Sequence, residues 1–186
     1  MKYLLLIFLI IEISSYTPLE KQVWDFLVGQ AGLTKAGAAG LMGNLDAESG
    51  MTANIYEDAY KSKLGLTDQE YVDYVNDGRY SEYDFVHDGI GFGLAQWSYY
   101  IRKQALINTC RGQIGSMSCQ LRYLQSELTN YYISLNSFLK SSNSVRDCAI
   151  KVLFEFENPA DKGTNVQNKR IQLAQNYYYI FAGGSF

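Results

Sequence analysis

The sequence predicts a mainly α-helical (α+β) domain carrying one short, irregular or β-like insertion. Three observations carry this expectation. Apolar residues recur at the spacing of a helix face in several separate segments. Thr34 and Thr67 stand where helix N-caps belong. Glycine alternates with apolar residues across 88–94, a pattern that suits neither a helix nor a linker. No internal repeat, low-complexity stretch or second boundary interrupts the chain.

Taken in order, residues 1–15 read as a secretory signal peptide. Lys2 gives a positive start, residues 4–11 form an apolar run too short to cross a bilayer, and Ser14 and Ser15 precede polar Thr17. Glu12 leaves the cleavage point open. Residues 16–186 then form the domain, long enough to bury a sizeable core. Val23, Trp24, Phe26, Leu27 and Val28 predict a helix over 19–30. Thr34 opens a second helix over 35–48, whose Ala and Gly residues permit close packing and which Gly50 ends. Thr67 opens a short helix over 68–76, closed by Asp77-Gly78. From 79 to 97 the pattern changes: Tyr80, Tyr83, Phe85 and Val86 lead into the glycine-apolar alternation, read as a small hairpin or extended loop. Helical spacing returns over 101–108, 120–129, 144–156 and 165–181.

Composition narrows the function classes. A formal net charge of -3 does not suit a nucleic-acid binder. It also supplies no cationic field to draw the protein onto an anionic surface, so binding has to come from a shaped groove. The 16 Tyr, 9 Phe and 2 Trp serve mostly as packing, yet Tyr and Trp also offer faces on which sugar rings stack. Cys110, Cys119 and Cys148 allow one disulfide and one leftover thiol in an oxidising compartment. Cys110–Cys119, close in sequence around the turn at 111–115, is the favoured pairing of the three. His87 is the only histidine and no CxxC occurs, so a zinc site is not expected.

Two elements carry candidate chemistry. Cleaving a glycosidic bond requires a carboxylic acid that keeps its proton near the leaving oxygen, which an apolar pocket achieves by penalising the charged form. Glu48 ends a helix of Leu41, Met42, Leu45 and Ala47 and precedes Ser49-Gly50, so its side chain can lie at the lip of a cleft. The second element is Gly91-Phe92-Gly93-Leu94-Ala95-Gln96-Trp97-Ser98. Gly93 would let N-acetyl groups meet the backbone, Gln96 can donate and accept, and Trp97 offers a stacking face.

The stretch Gly40-Leu-Met-Gly-Asn-Leu-Asp-Ala-Glu48-Ser-Gly resembles the glutamate motif of the phage tail lysozyme family, the wall-piercing muramidases of phage and prophage tail tips. The block from Phe85 through Asp88, Gly93, Gln96 and Trp97 to Leu106 is similar to that family's second signature, and Phe156-Glu157-Asn158-Pro159-Ala-Asp to a third. The matches stand in the family's order and span nearly everything after residue 15. The resemblance implies a lysozyme-like helical domain with a small β-hairpin beside the cleft, as in the goose-type lysozyme and lytic transglycosylase group. Two departures stand out. Family members usually sit inside large tail proteins, whereas this chain is read as a stand-alone secreted domain, and Asn158 replaces the usual basic residue before Pro159.

The resemblance implies a peptidoglycan hydrolase that cuts the β-1,4 bond between N-acetylmuramic acid and N-acetylglucosamine. Glu48 is its proton donor, and Asp88 is the first choice for second carboxylate, with Asp84 and Asp58 as rivals and an Asp-Gly turn as the plain alternative. Gly93, Gln96 and Trp97 are the substrate-binding candidates. Tyr99 and Tyr100 could extend the groove, and Arg102 and Lys103 could meet substrate carboxylates, although solvated helix charges are the commoner case. No metal or organic cofactor is implied. The expected partner is bacterial peptidoglycan, met by a monomer outside the cell or in a digestive compartment, with no nucleic acid and no membrane insertion once the signal is removed. A lytic transglycosylase, a wall-binding module without turnover and a chitin-cleaving enzyme are the rival readings.

Overall fold

The computed structural model describes residues 16–183, so the signal-peptide expectation for 1–15 lies outside the described residues. The chain begins with α1 (Pro18–Asp25), opened by a reciprocal cap in which Thr17 accepts from Glu20 N and the Glu20 carboxylate accepts from Thr17 N. A wider π turn over Phe26–Gln30 carries the helix on, burying Phe26 and Leu27.

Helix α2 (Lys35–Ser49) is the axis of the molecule. Thr34 caps it through Gly37 N, and Gly50 ends it in the left-handed conformation at φ 59°. Residues 36–45 are all buried, so the helix is surrounded on every side. Its glycines make that possible. A Cβ on Gly37 would lie 2.1 Å from Leu139 O, one on Gly40 2.4 Å from Cys148 Cβ, and one on Gly43 2.5 Å from Ala174 N. Those three neighbours belong to α8 (Ile133–Leu139), α9 (Val145–Val152) and α10 (Thr164–Ala182), so each glycine admits a different helix to near backbone contact. Each such glycine forgoes about 1 kcal/mol of helix propensity relative to alanine. Close packing offsets that loss.

A second group of elements covers the other flank. A 3-10 turn at Asp58–Tyr60 leads into α3 (Lys61–Leu64). Helix α4 (Asp68–Asp77) follows, with Thr67 and Glu70 forming another reciprocal cap and Gly78 ending it at φ 83°. Helix α5 (Glu82–His87), ahead of the glycine alternation, was not anticipated: Ser81 caps it through Asp84 N, a local signal that lies within the run of aromatic residues. Helices α6 (Tyr100–Cys110) and α7 (Met117–Asn130) are joined by the Cys110–Cys119 disulfide, the favoured pairing, while Cys148 is a buried free thiol. Helix α8 was not anticipated, since only Leu135 and Leu139 of its short span are buried. A π turn, Leu153–Glu157, continues α9.

The anticipated β-hairpin is also corrected. Among the described residues there is no strand, only isolated antiparallel bridges linking Tyr56 to Phe92 and Phe92 to Trp97. Gly93 at φ 72° and Gln96 at φ 45° turn the chain too tightly for a ladder to extend beyond Phe92–Trp97. The lysozyme-like, mainly helical expectation fits what is observed. No described helix is long and apolar enough to cross a membrane.

Candidate active site

The end of α2 and the glycine segment are held together by Ser49, whose Oγ donates to Leu94 O at 2.9 Å and Leu45 O at 3.0 Å. Gln120, fully buried on α7, braces the same segment from behind. Its Oε1 accepts from Leu94 N at 2.8 Å, and its Nε2 reaches Ala53 O and Ile114 O. A Cβ on Gly93 would lie 2.6 Å from the Gln120 amide, so only glycine admits this brace.

In front of that floor lies a cleft of about 370 Å³, lined by Glu48, Ile55, Tyr56, Glu57, Asp58, Gly91, Gln96 and Ser98. Glu48 projects from the last turn of α2 with 23% of its side chain exposed, and its Oε1 accepts from Arg170 Nη2 of α10. Glu57 is held by the glycine segment through two contacts. Its backbone N donates to Gly91 O at 2.9 Å, and its Oε2 accepts from Gly91 N at 3.2 Å. Asp58 is 84% exposed and pairs with Lys61. Gln96 is held in the left-handed conformation at φ 45°, with its Nε2 donating to Gly93 O at 3.0 Å. A strained backbone over-determined by its surroundings is the kind found at ligand-binding sites.

Glu48, Gln96 and the rival carboxylate Asp58 are therefore brought to one cleft, and three other anticipated residues take different places. Gly93 spends its N–H on Ile55 O and its carbonyl on Gln96, so Gly91 is the glycine that faces the cleft. Trp97 is fully buried, packed at a tilt against the Tyr123 ring and donating through Nε1 to Glu127 Oε2 at 2.7 Å. The stacking face expected of it is turned into the core, a correction, and Tyr99 and Tyr100 beside Ser98 are the exposed rings instead. They continue into a surface row in which His87 stacks on Tyr100 and Tyr83 on His87.

Asp88 does not line the cleft. Its Oδ1 pairs with the fully buried Lys103 at 2.5 Å and accepts from Ile90 N at 2.8 Å, while Oδ2 accepts from the hydroxyls of Tyr71 and Tyr80. Those four donors occupy its lone pairs and leave only 7% of the side chain exposed, an arrangement that anchors α4, α5 and α6 to one another. Burial and the adjacent Asp88 charge push the Tyr80 hydroxyl up to about 12. Burial pulls Lys103 below the ordinary lysine range, against the opposing attraction of Asp88. Arg102 likewise meets a protein carboxylate rather than an open groove, donating to both oxygens of Glu127 at 2.7 and 3.0 Å.

Sequence reasoning missed Glu57 and Glu157. No motif surrounds Glu57, and its signal is the tertiary pairing with Gly91. Glu157 lay in the third matching block without a role. Its Oε1 is buried and has no hydrogen-bond partner, and burial, then the Glu48 carboxylate, push its carboxyl up to about 8 against the pull of Arg102 and Arg170.

A family model described as phage tail lysozyme matches residues 19–181 of the chain. A search of curated proteins finds no match.

Proposed function

Because the chain belongs to the phage tail lysozyme family, and with it to a peptidoglycan-lytic class, we propose that it hydrolyses the β-1,4 bond between N-acetylmuramic acid and N-acetylglucosamine, with Glu48 as general acid. The observation that carries the reading is Glu48 lining one cleft with a second carboxylate, Glu57, supplied by a different element. Glu48 protonates the leaving oxygen. Glu57, aimed by Gly91, stabilises the positive charge that develops on the sugar or activates a water, the division of labour that paired carboxylates perform in glycosidases. Gln96 offers an amide to the N-acetyl group, and the exposed rings of Tyr99 and Tyr100 offer stacking surface along the strand.

The Cys110–Cys119 disulfide supports a working environment outside a reducing cytosol, in keeping with secretion. The experiment is to digest purified peptidoglycan and weigh the fragments. Hydrolysis adds one water per cut, whereas 1,6-anhydro products without that water would replace this reading with a lytic transglycosylase. Glu48→Gln should clear a bacterial suspension at least about 10²-fold more slowly, the usual loss on removing a general acid. Clearing at the wild-type rate would remove Glu48 from the mechanism.

A further inference from the structure

Behind the cleft, two guanidiniums stand among three carboxyls. Arg102 of α6 is committed to Glu127 of α7, and Arg170 of α10 to Glu48 of α2. The third carboxyl, Glu157 at the end of the π turn after α9, has no guanidinium to itself, and its Oε1 is buried without a partner. Arg170 Nε is also buried and unpartnered. One arginine thus serves Glu48 through one arm while keeping a second donor unused. Asn158, in the left-handed conformation at φ 47°, closes the turn through its N–H to Leu153 O at 2.9 Å and fixes where Glu157 sits. With Glu157 neutral the cluster balances, two cations against two anions. With all three carboxyls ionised, one buried negative charge lacks a partner, which is costly.

We propose that Glu157 is a positioning residue for Glu48: the two share Arg170 and one proton, so that the guanidinium turns toward Glu157 when the proton moves to Glu48. The inference rests on the reading of Glu48 as the acid. Glu157 gives up a proton as Glu48 gains one, and Arg170 transfers its pairing from Glu48 to the newly ionised Glu157. When the glycosidic oxygen takes the proton, Glu48 is ionised again and recovers Arg170, and Glu157 takes a proton from solvent. The charged and titratable groups that face Glu157 are Glu48, Arg102, Glu127, Tyr132 and Arg170, so the apparent titration belongs to the cluster and not to one residue.

The test combines pH–activity profiles, melting curves and carboxyl titration by carbon-13 NMR of labelled glutamate. Glu157→Gln imitates the protonated side chain, so the protein should melt near wild type in acid and above it at neutral pH, where the wild type has lost the stability tied to that proton. It should lose roughly tenfold or more in clearing rate, and its alkaline limb should move down by about one pH unit, because no shared proton remains. Glu157→Asp should restore part of the limb. A limb that stays in place in both variants overturns the proposal, whatever the rate. In Glu48→Gln the Glu157 carboxyl should titrate at lower pH than in wild type, a readout that needs no activity. An unmoved titration there overturns the sharing while leaving Glu48 as the acid, whereas full activity of Glu48→Gln overturns the acid assignment itself.

Discussion

Arg170 on α10 donates to Glu48 on α2 across 122 positions of the chain. The approach depends on Gly43, because a Cβ there would lie 2.7 Å from Arg170 O as well as 2.5 Å from Ala174 N. Gly43→Ala should therefore push α10 outward and loosen the Glu48–Arg170 pair. The added helix propensity is worth about 1 kcal/mol, and overpacking against backbone costs about 1–3 kcal/mol or more, so a net loss of stability is expected. Chemical denaturation measures it, and a variant more stable than wild type would show that α10 can yield freely.

Glu57 and Asp88 make opposite predictions. Glu57→Gln should keep the fold, since the amide can still accept from Gly91 N, while turnover falls by about 10² or more. Asp88→Asn leaves the buried Lys103 ammonium without its counter-charge and should cost about 3 kcal/mol of stability. Its turnover per folded molecule should remain. Melting curves paired with peptidoglycan clearing separate the two outcomes. A stable Asp88→Asn protein without activity would return Asp88 to the chemistry.

Glu157 makes stability depend on pH in an unusual direction. Its folded carboxyl is pushed up to about 8, above the ordinary range that applies when unfolded. Between those values the folded state holds a proton that the unfolded state has lost, so stability is fully present in acid and falls as pH rises toward about 8. The size is on the order of a few kcal/mol. Glu157→Gln should flatten that decline. Melting temperatures from pH 4 to 9 would contradict the burial argument if the wild-type and variant curves run parallel.

The disulfide closes a short loop between α6 and α7, for which chain-entropy reasoning gives a stabilisation of about 2–3 kcal/mol. Replacing Cys110 and Cys119 together by Ser should lower stability by that order. Cys148 is buried, and burial pushes its thiol up. A thiol reagent should thus leave native protein unlabelled and label it once on unfolding; rapid labelling of the native state would contradict this placement.

What could be read along the chain was chemistry acting over a few residues. Thr34 with Gly50, and Thr67 with Gly78, bound their helices where expected, because a cap satisfies orphan N–H groups locally and a left-handed stop needs only a glycine. The nearness of Cys110 and Cys119 already favoured their bond. Helix α8 escaped notice because two buried leucines in a short span are too few to define a period.

Direction and partnership were decided elsewhere. Order along the chain brings Asp88 and Trp97 close to the glycine segment, yet the tight turn at Gly93 and Gln96 points Trp97 into the core, toward Glu127. Lys103, one helix later, draws Asp88 away from the cleft. Glu57 and Glu157 acquired their places only when Gly91, Arg170 and Glu48 arrived from distant segments. Local capping and periodicity act through neighbouring atoms, so the linear order carries them. The environment of a carboxyl is made by whichever charges and surfaces close around it, and only the folded chain assembles those.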